Sequence, residues 1–158
     1  MSVSGSNMDN SADFVKKSES LLRSHNLRVT GPRMKVLRVL SLSDKALTAH
    51  DIHGQISETG EKIDVVSVYR ILTTFNSLGI VHHIGSVDGY VVCCLDEPHQ
   101  HHSQHIVCSD CSKAIEVDLP DSAAEALLPS VSAKGFSGGT VRVEVVAKCD
   151  ECTNKESA

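Results

Sequence analysis

No uninterrupted apolar run approaches the roughly 18 residues of a membrane-spanning helix. The first fifteen residues, MSVSGSNMDNSADFV, hold no Lys or Arg and no apolar core. A secretory signal requires both, so neither a membrane nor an export route is expected. No H-E-x-x-H is present, and neither H-x-E nor P-C-x-x-C occurs. Those absences argue against a zinc protease or a deaminase, and no enzyme activity is expected. No repeat of 20–50 residues is visible, which argues against a solenoid. A soluble, cytoplasmic chain without a small-molecule substrate is the expectation.

What is present divides unevenly. The 158 residues carry 15 Lys+Arg against 20 Asp+Glu, a net charge of −5. At face value this disfavours nucleic acid as a partner. Counted by segment, residues 1–85 carry +2 and residues 86–158 carry −7. Within residues 16–38 stand Lys16, Lys17, Arg23, Arg28, Arg33, Lys35 and Arg38, against Glu19 alone. All six cysteines follow residue 92. The front is therefore basic and the back is acidic and rich in cysteine.

Residues 1–12 are polar and read as a tail. Helices are expected over about 12–25 and 32–42, with Thr30 as a candidate cap and Pro32 in the first turn. Thr48-Ala-His-Asp51 resembles a capping box opening a short helix. A further helix is expected from about Asp64 to Leu78, stopped by Gly79. Its Val68, Ile71, Leu72, Phe75 and Leu78 share one face at 100° per residue, with Arg70 and Thr73 opposite. Then Ile80–Ile84 and Tyr90–Leu95 read as a hairpin. Three or four helices followed by a hairpin is the order of a winged helix, whose wing follows its recognition helix. Past a His-rich loop at 96–104, strands at 105–108, 114–117 and 141–149 surround a helix at 121–133 that contains Pro129. The expected fold class is α+β. It places a winged-helix DNA-binding domain at 13–95, a hinge near 94–98, a small α/β dimerisation domain at 99–152 and a tail at 153–158.

Cys108-Ser-Asp-Cys111 and Cys149-Asp-Glu-Cys152 are two C-x2-C pairs with 37 residues between them. In a reducing compartment this arrangement points to tetrahedral zinc rather than to disulfides. Four thiolates leave no open position, so the site is structural. A second metal site is expected among His82, His83, Cys93, Cys94, His99, His101, His102, His105 and Glu116. Thiolate plus imidazole favours zinc over magnesium or calcium. Hairpin, loop and following strand would together supply it, tying front to back.

Several segments together resemble the ferric uptake regulator superfamily. They are Leu27-Arg-Val-Thr-Gly-Pro-Arg33, Ser67-Val-Tyr-Arg70, the His-rich loop running into Ile106-Val-Cys108-x-x-Cys111, and Cys149-x-x-Cys152. The likeness spans about residues 20–152. Val36-Leu-Arg-Val-Leu-Ser-Leu42, Val81-His82, Tyr90-Val-Val-Cys93 and Asp96-Glu-Pro-His99 are most similar to its zinc uptake branch. That resemblance implies a regulatory zinc held by His82, Cys93, His101 and Glu116, making two zinc ions per subunit. His102 and His105 compete with His101 for the loop position. Ser103, Gln104, Val141 and Ala46 stand where iron or peroxide sensors often place other residues, which counts against those sensors.

The resemblance further implies a homodimeric repressor on a near-palindromic DNA operator. The valine-rich strand at 140–147 is the candidate dimer seam. Tyr69, Arg70 and Thr73 would face the major groove, with Arg70 suited to a guanine edge. Arg28, Arg33, Lys16 and Lys17 would meet backbone phosphates. The alternatives are an iron- or peroxide-sensing regulator of the same superfamily, or a structural zinc module that binds no DNA.

Overall fold

The computed structural model describes residues 7–94 and 102–156. Residues 1–6, most of the expected hinge, His99 and His101 lie outside them.

Helix α1 (Asn7–Ser24) begins within the stretch expected as a tail. Helix α2 (Gly31–Ser41) starts after Thr30, but the Thr30 side chain makes no capping hydrogen bond. Pro32 at the helix start, where an N–H has no helical partner, is the feature that remains. Helix α3 (Ala49–Glu58) carries the full capping box. Thr48 Oγ1 accepts the Asp51 N–H at 3.1 Å, and Asp51 Oδ2 accepts the Thr48 N–H at 2.9 Å. Helix α4 (Val65–Ser77) is capped by Asp64, whose carboxylate accepts the Ser67 N–H at 2.8 Å. The Ser67 hydroxyl and N–H hold that carboxyl below its usual range. Beyond α4 the chain reverses at Gly79, whose φ of 70° suits a residue without a Cβ.

Strands β1 (Val81–Ile84) and β2 (Gly89–Val92) pair antiparallel, with His82 opposite Val91. A single 3-10 turn, Gly85–Val87, joins them. The second sheet contains β3 (Ser103–Cys108), β4 (Ala114–Asp118) and β5 (Arg142–Ala147) in the order β4-β3-β5. β3 runs antiparallel to β4 and parallel to β5, so β5 lies at an edge. Helix α5 (Asp121–Ala133) continues through Pro129. Helix α6 (Asp150–Glu156) begins inside the second cysteine pair and occupies part of the expected C-terminal tail.

The apolar core belongs to the front half. Leu22, Val36, Leu37, Leu40, Ile52, Ile56, Val68, Leu72, Phe75 and Val81 are buried together there. A second cluster joins Ala46, Ile84 and Val107, with Val87, Val91 and Ala114 against it. Those residues come from the α2–α3 loop, the wing and the second sheet, so this cluster is the seam between the two halves. Backbone bonds reinforce it: the Ala46 N–H donates to Ser112 O at 2.8 Å and the Ala114 N–H to Asp44 O at 3.0 Å. Within the front half, the wing lies close to the α2–α3 loop at Gly89, where an added Cβ would stand 2.9 Å from the Ala46 Cβ.

Candidate metal centre

The four cysteines Cys108, Cys111, Cys149 and Cys152 converge, with all four Sγ atoms within 4.8 Å of one another. Cys108 ends β3, Cys111 lies in the turn before β4, and Cys149 and Cys152 bracket the start of α6. Sγ of Cys111 and Sγ of Cys149 are 3.7 Å apart. Thiolates at ~2.3 Å from a tetrahedral zinc stand roughly 3.8 Å from each other. The spacing therefore fits one ion. Backbone N–H groups of Cys149, Cys111 and Asp110 bring the Cys108 thiol down to about 6. Hydrogen bonding from Cys149, with burial, pushes Cys152 up to about 12.

The second group forms where the wing lies on the sheet. His82 from β1, His105 from β3 and Glu116 from β4 bring one ligand atom each within 4.8 Å. His82 Nε2 is 3.0 Å from Glu116 Oε1, and His105 Nε2 is 3.8 Å from the same oxygen. The His82 and His105 rings are tilted at a centroid distance of 5.0 Å. The three side chains are 4%, 3% and 1% exposed, so this polar group is sealed from water. Buried polar groups ordinarily find partners, yet His105 Nε2 has no hydrogen-bond partner among the described residues. A cation shared with Glu116 would satisfy it. Burial, then the neighbouring His82, holds the His105 imidazole below the usual histidine value, partly offset by Glu116 and Glu144. A neutral imidazole is the ligand form.

Of the regulatory set implied by the resemblance, His82 and Glu116 lie together in this cluster. His101 lies outside the described residues. Cys93 is buried just beyond β2, its N–H donating to Ile80 O at 3.0 Å. It is not one of the three residues in the cluster, and it borders a groove against α1. Of the two competing histidines, His105 enters the cluster. His102 does not, because its Nδ1 accepts the Val141 N–H at 2.9 Å. The other Glu116 oxygen accepts the Cys94 N–H at 2.9 Å, anchoring the chain as it leaves the wing.

Tyr69, Arg70 and Thr73 are exposed on α4, with Tyr69 at 42%. Val66, not singled out from sequence, is exposed at 53% one turn before Arg70. Arg28 is exposed, and the Arg33 guanidinium donates to its carbonyl at 2.6 Å. Lys16 and Lys17 are exposed on α1. Among the described residues, no helix is long and apolar enough to cross a membrane.

A comparison with known families matches residues 24–146 to the ferric uptake regulator family. The chain belongs to that family. It is accordingly a metal-responsive, DNA-binding transcriptional regulator and not an enzyme. Within the family it is 36% identical to the ferric uptake regulation protein of Shigella flexneri over 118 residues, 74% of this chain and 77% of the relative. It is 26% identical to the zinc uptake regulation protein of Escherichia coli K12 over 145 residues, 92% and 84%. A solved zinc uptake regulator complexed with zinc and DNA superposes with a TM-score of 0.81 at 27% identity. That superposition covers 94% of this chain and 98% of the other. The α+β architecture is that of the superposed regulator, and the four-cysteine cluster is consistent with a structural zinc.

Proposed function

We propose that this chain is a zinc-responsive repressor that controls genes of zinc uptake or homeostasis. The observation that carries the proposal is the buried meeting of wing and sheet at His82, His105 and Glu116. His82 belongs to the DNA-binding half and Glu116 to the other half, so a ligand they share fixes the angle between the halves. Bound there, zinc would supply a positively charged cross-link among neutral imidazole, carboxylate and thiolate donors. Cys93 and His101 are proposed to complete the set, and the four cysteines to hold the second, structural zinc.

A homodimer is supported by what the back half leaves uncovered. The edge strand β5 exposes Val145 at 39% and Val146 at 54%, and Ile115 on β4 is exposed at 54%. A second copy would cover these side chains and bring two α4 helices to a near-palindromic operator. Tyr69, Arg70 and Thr73 are proposed to face base edges, with Arg28, Arg33, Lys16 and Lys17 on phosphates.

A second reading, response to ferrous iron, has one observation in its favour. The described cluster is two imidazoles and a carboxylate, a donor set used for non-haem ferrous iron as well as for zinc. Operator binding measured against buffered free zinc and, separately, against ferrous iron under anaerobic conditions distinguishes them. Response to zinc at lower free concentration than iron supports the zinc reading; the reverse order replaces it.

A further inference from the structure

Glu144 on β5 reaches out of the sheet to the wing turn. One carboxylate oxygen accepts the Gly85 N–H at 2.8 Å and the other accepts the Ser86 N–H at 3.0 Å. The first N–H groups of a helical turn have no partner within it. Here a carboxylate from the opposite half of the protein supplies one. Although partial burial works to raise it, the Gly85 and Ser86 N–H groups and His105 hold the Glu144 carboxyl below its usual range. It is therefore an anion at neutral pH, and hydrogen bonds to an anion are the stronger kind.

The register of the sheet gives this contact its significance. His105 stands opposite Glu116 on one side and opposite Glu144 on the other. Glu116, His105 and Glu144 therefore form a row across all three strands. The wing lies along that row, touching it at Glu116 through His82 and at Glu144 through Gly85 and Ser86. The second contact needs no metal. Its strand is also the exposed edge, so Glu144 links the DNA-reading half directly to the proposed dimer seam.

We propose that Glu144 is a positioning residue for DNA binding: it seats the wing on the sheet before metal arrives, and so sets how much free metal the His82–Glu116 site requires. When only a fraction of molecules hold the competent geometry, apparent affinity falls by that fraction. Releasing the latch lowers the fraction in the metal-free protein. Saturating metal restores it.

The test uses the full-length dimer and Glu144→Gln, which keeps the shape but turns an amide N–H2 toward a donor. Amide hydrogen exchange at Gly85 and Ser86 is read on protein loaded only at the four-cysteine site. Operator binding is then titrated against buffered free zinc. The latch predicts protected Gly85 and Ser86 amides in wild type and faster exchange in the variant. It also predicts a midpoint shifted to roughly three- to tenfold higher zinc with an unchanged plateau affinity. Unprotected wild-type amides, or an unchanged midpoint after protection is lost, would overturn it. So would a shifted midpoint with protection intact, which would assign the effect to lost charge. A lowered plateau would mark Glu144 as merely structural. The latch rests on metal-responsive DNA binding and not on the identity of the metal. Wild type indifferent to zinc would defeat the zinc reading instead, and the same titration with ferrous iron would then judge the latch.

Discussion

His82 of the wing and Glu116 of the C-terminal sheet meet at 3.0 Å, both side chains almost completely buried. Neither half of the protein contains this site by itself. A group held by both therefore reports, and controls, how the halves are set. Binding tighter by ~10² to the competent arrangement gives about 2.7 kcal/mol of bias per site. Glu116→Gln removes the carboxylate charge of this cluster. The variant is expected to remain a folded dimer with its four-cysteine metal, while operator binding loses most of its response to added metal. Metal analysis together with fluorescence anisotropy on operator DNA checks this; a retained full response would contradict the assignment.

Arg70 is exposed on α4, away from the face that buries Val68, Ile71, Leu72 and Phe75. Arg70→Ala is expected to leave stability and metal content unchanged. A bidentate contact to guanine contributes ~1–3 kcal/mol of discrimination, so specific binding should fall by roughly ten- to a hundredfold. Competition between operator and scrambled DNA reads this loss. An unchanged preference for the operator would remove Arg70 from the base-reading face.

Among the described residues the back half has few buried apolar side chains beyond Val107, Leu119 and Ala124, and its cysteines bring its ends together. Metal binding energy is folding energy in such a unit. Cys108→Ser should therefore lose one metal per chain and the dimer together, while the helical front keeps its own core. Circular dichroism, metal analysis and sedimentation report these separately. A dimer of normal stability lacking that metal would contradict a structural role.

His105 predicts a pH dependence in the protein without regulatory metal. Its folded-state value is depressed, by burial first and then by His82, with Glu116 and Glu144 opposing and Arg142 adding to the shift. The unfolded chain takes up this proton first as pH falls. Stability is thus complete above the unfolded value of about 6.5 and declines as pH drops below it. His105→Phe should lessen that decline between pH 7.5 and 5.5 in thermal melts. Parallel curves for variant and wild type would show that His105 does not carry it.

Local chemistry made much of this legible in the sequence. The Thr48–Asp51 capping box, the apolar face of α4, Gly79 and the alternating valines of β5 each state their structure within a few residues. The cysteine pairs were legible because two C-x2-C turns leave little else for the sulfurs to do. The unread parts depend on register across strands far apart in sequence. His105 enters the cluster, and His102 does not, because the β3–β4 pairing sets His105 beside Glu116. Glu144 is a polar position within a valine-rich strand; only the parallel pairing with β3 brings it to the wing turn. Thr30 had the right residue type for a cap but makes no side-chain capping bond. The helix at Asp150–Glu156 was hidden by its brevity and by the metal motif it overlaps.

The most direct measurement is operator binding by the full-length protein as buffered free zinc is raised, with His82→Ala beside wild type. Wild type should pass from weak to tight binding across a defined zinc range, gaining one zinc per subunit beyond the structural ion. His82→Ala should keep the structural zinc and stay weak throughout. Tight, sequence-specific binding by wild type without that additional zinc, or an unchanged transition in His82→Ala, would contradict the account.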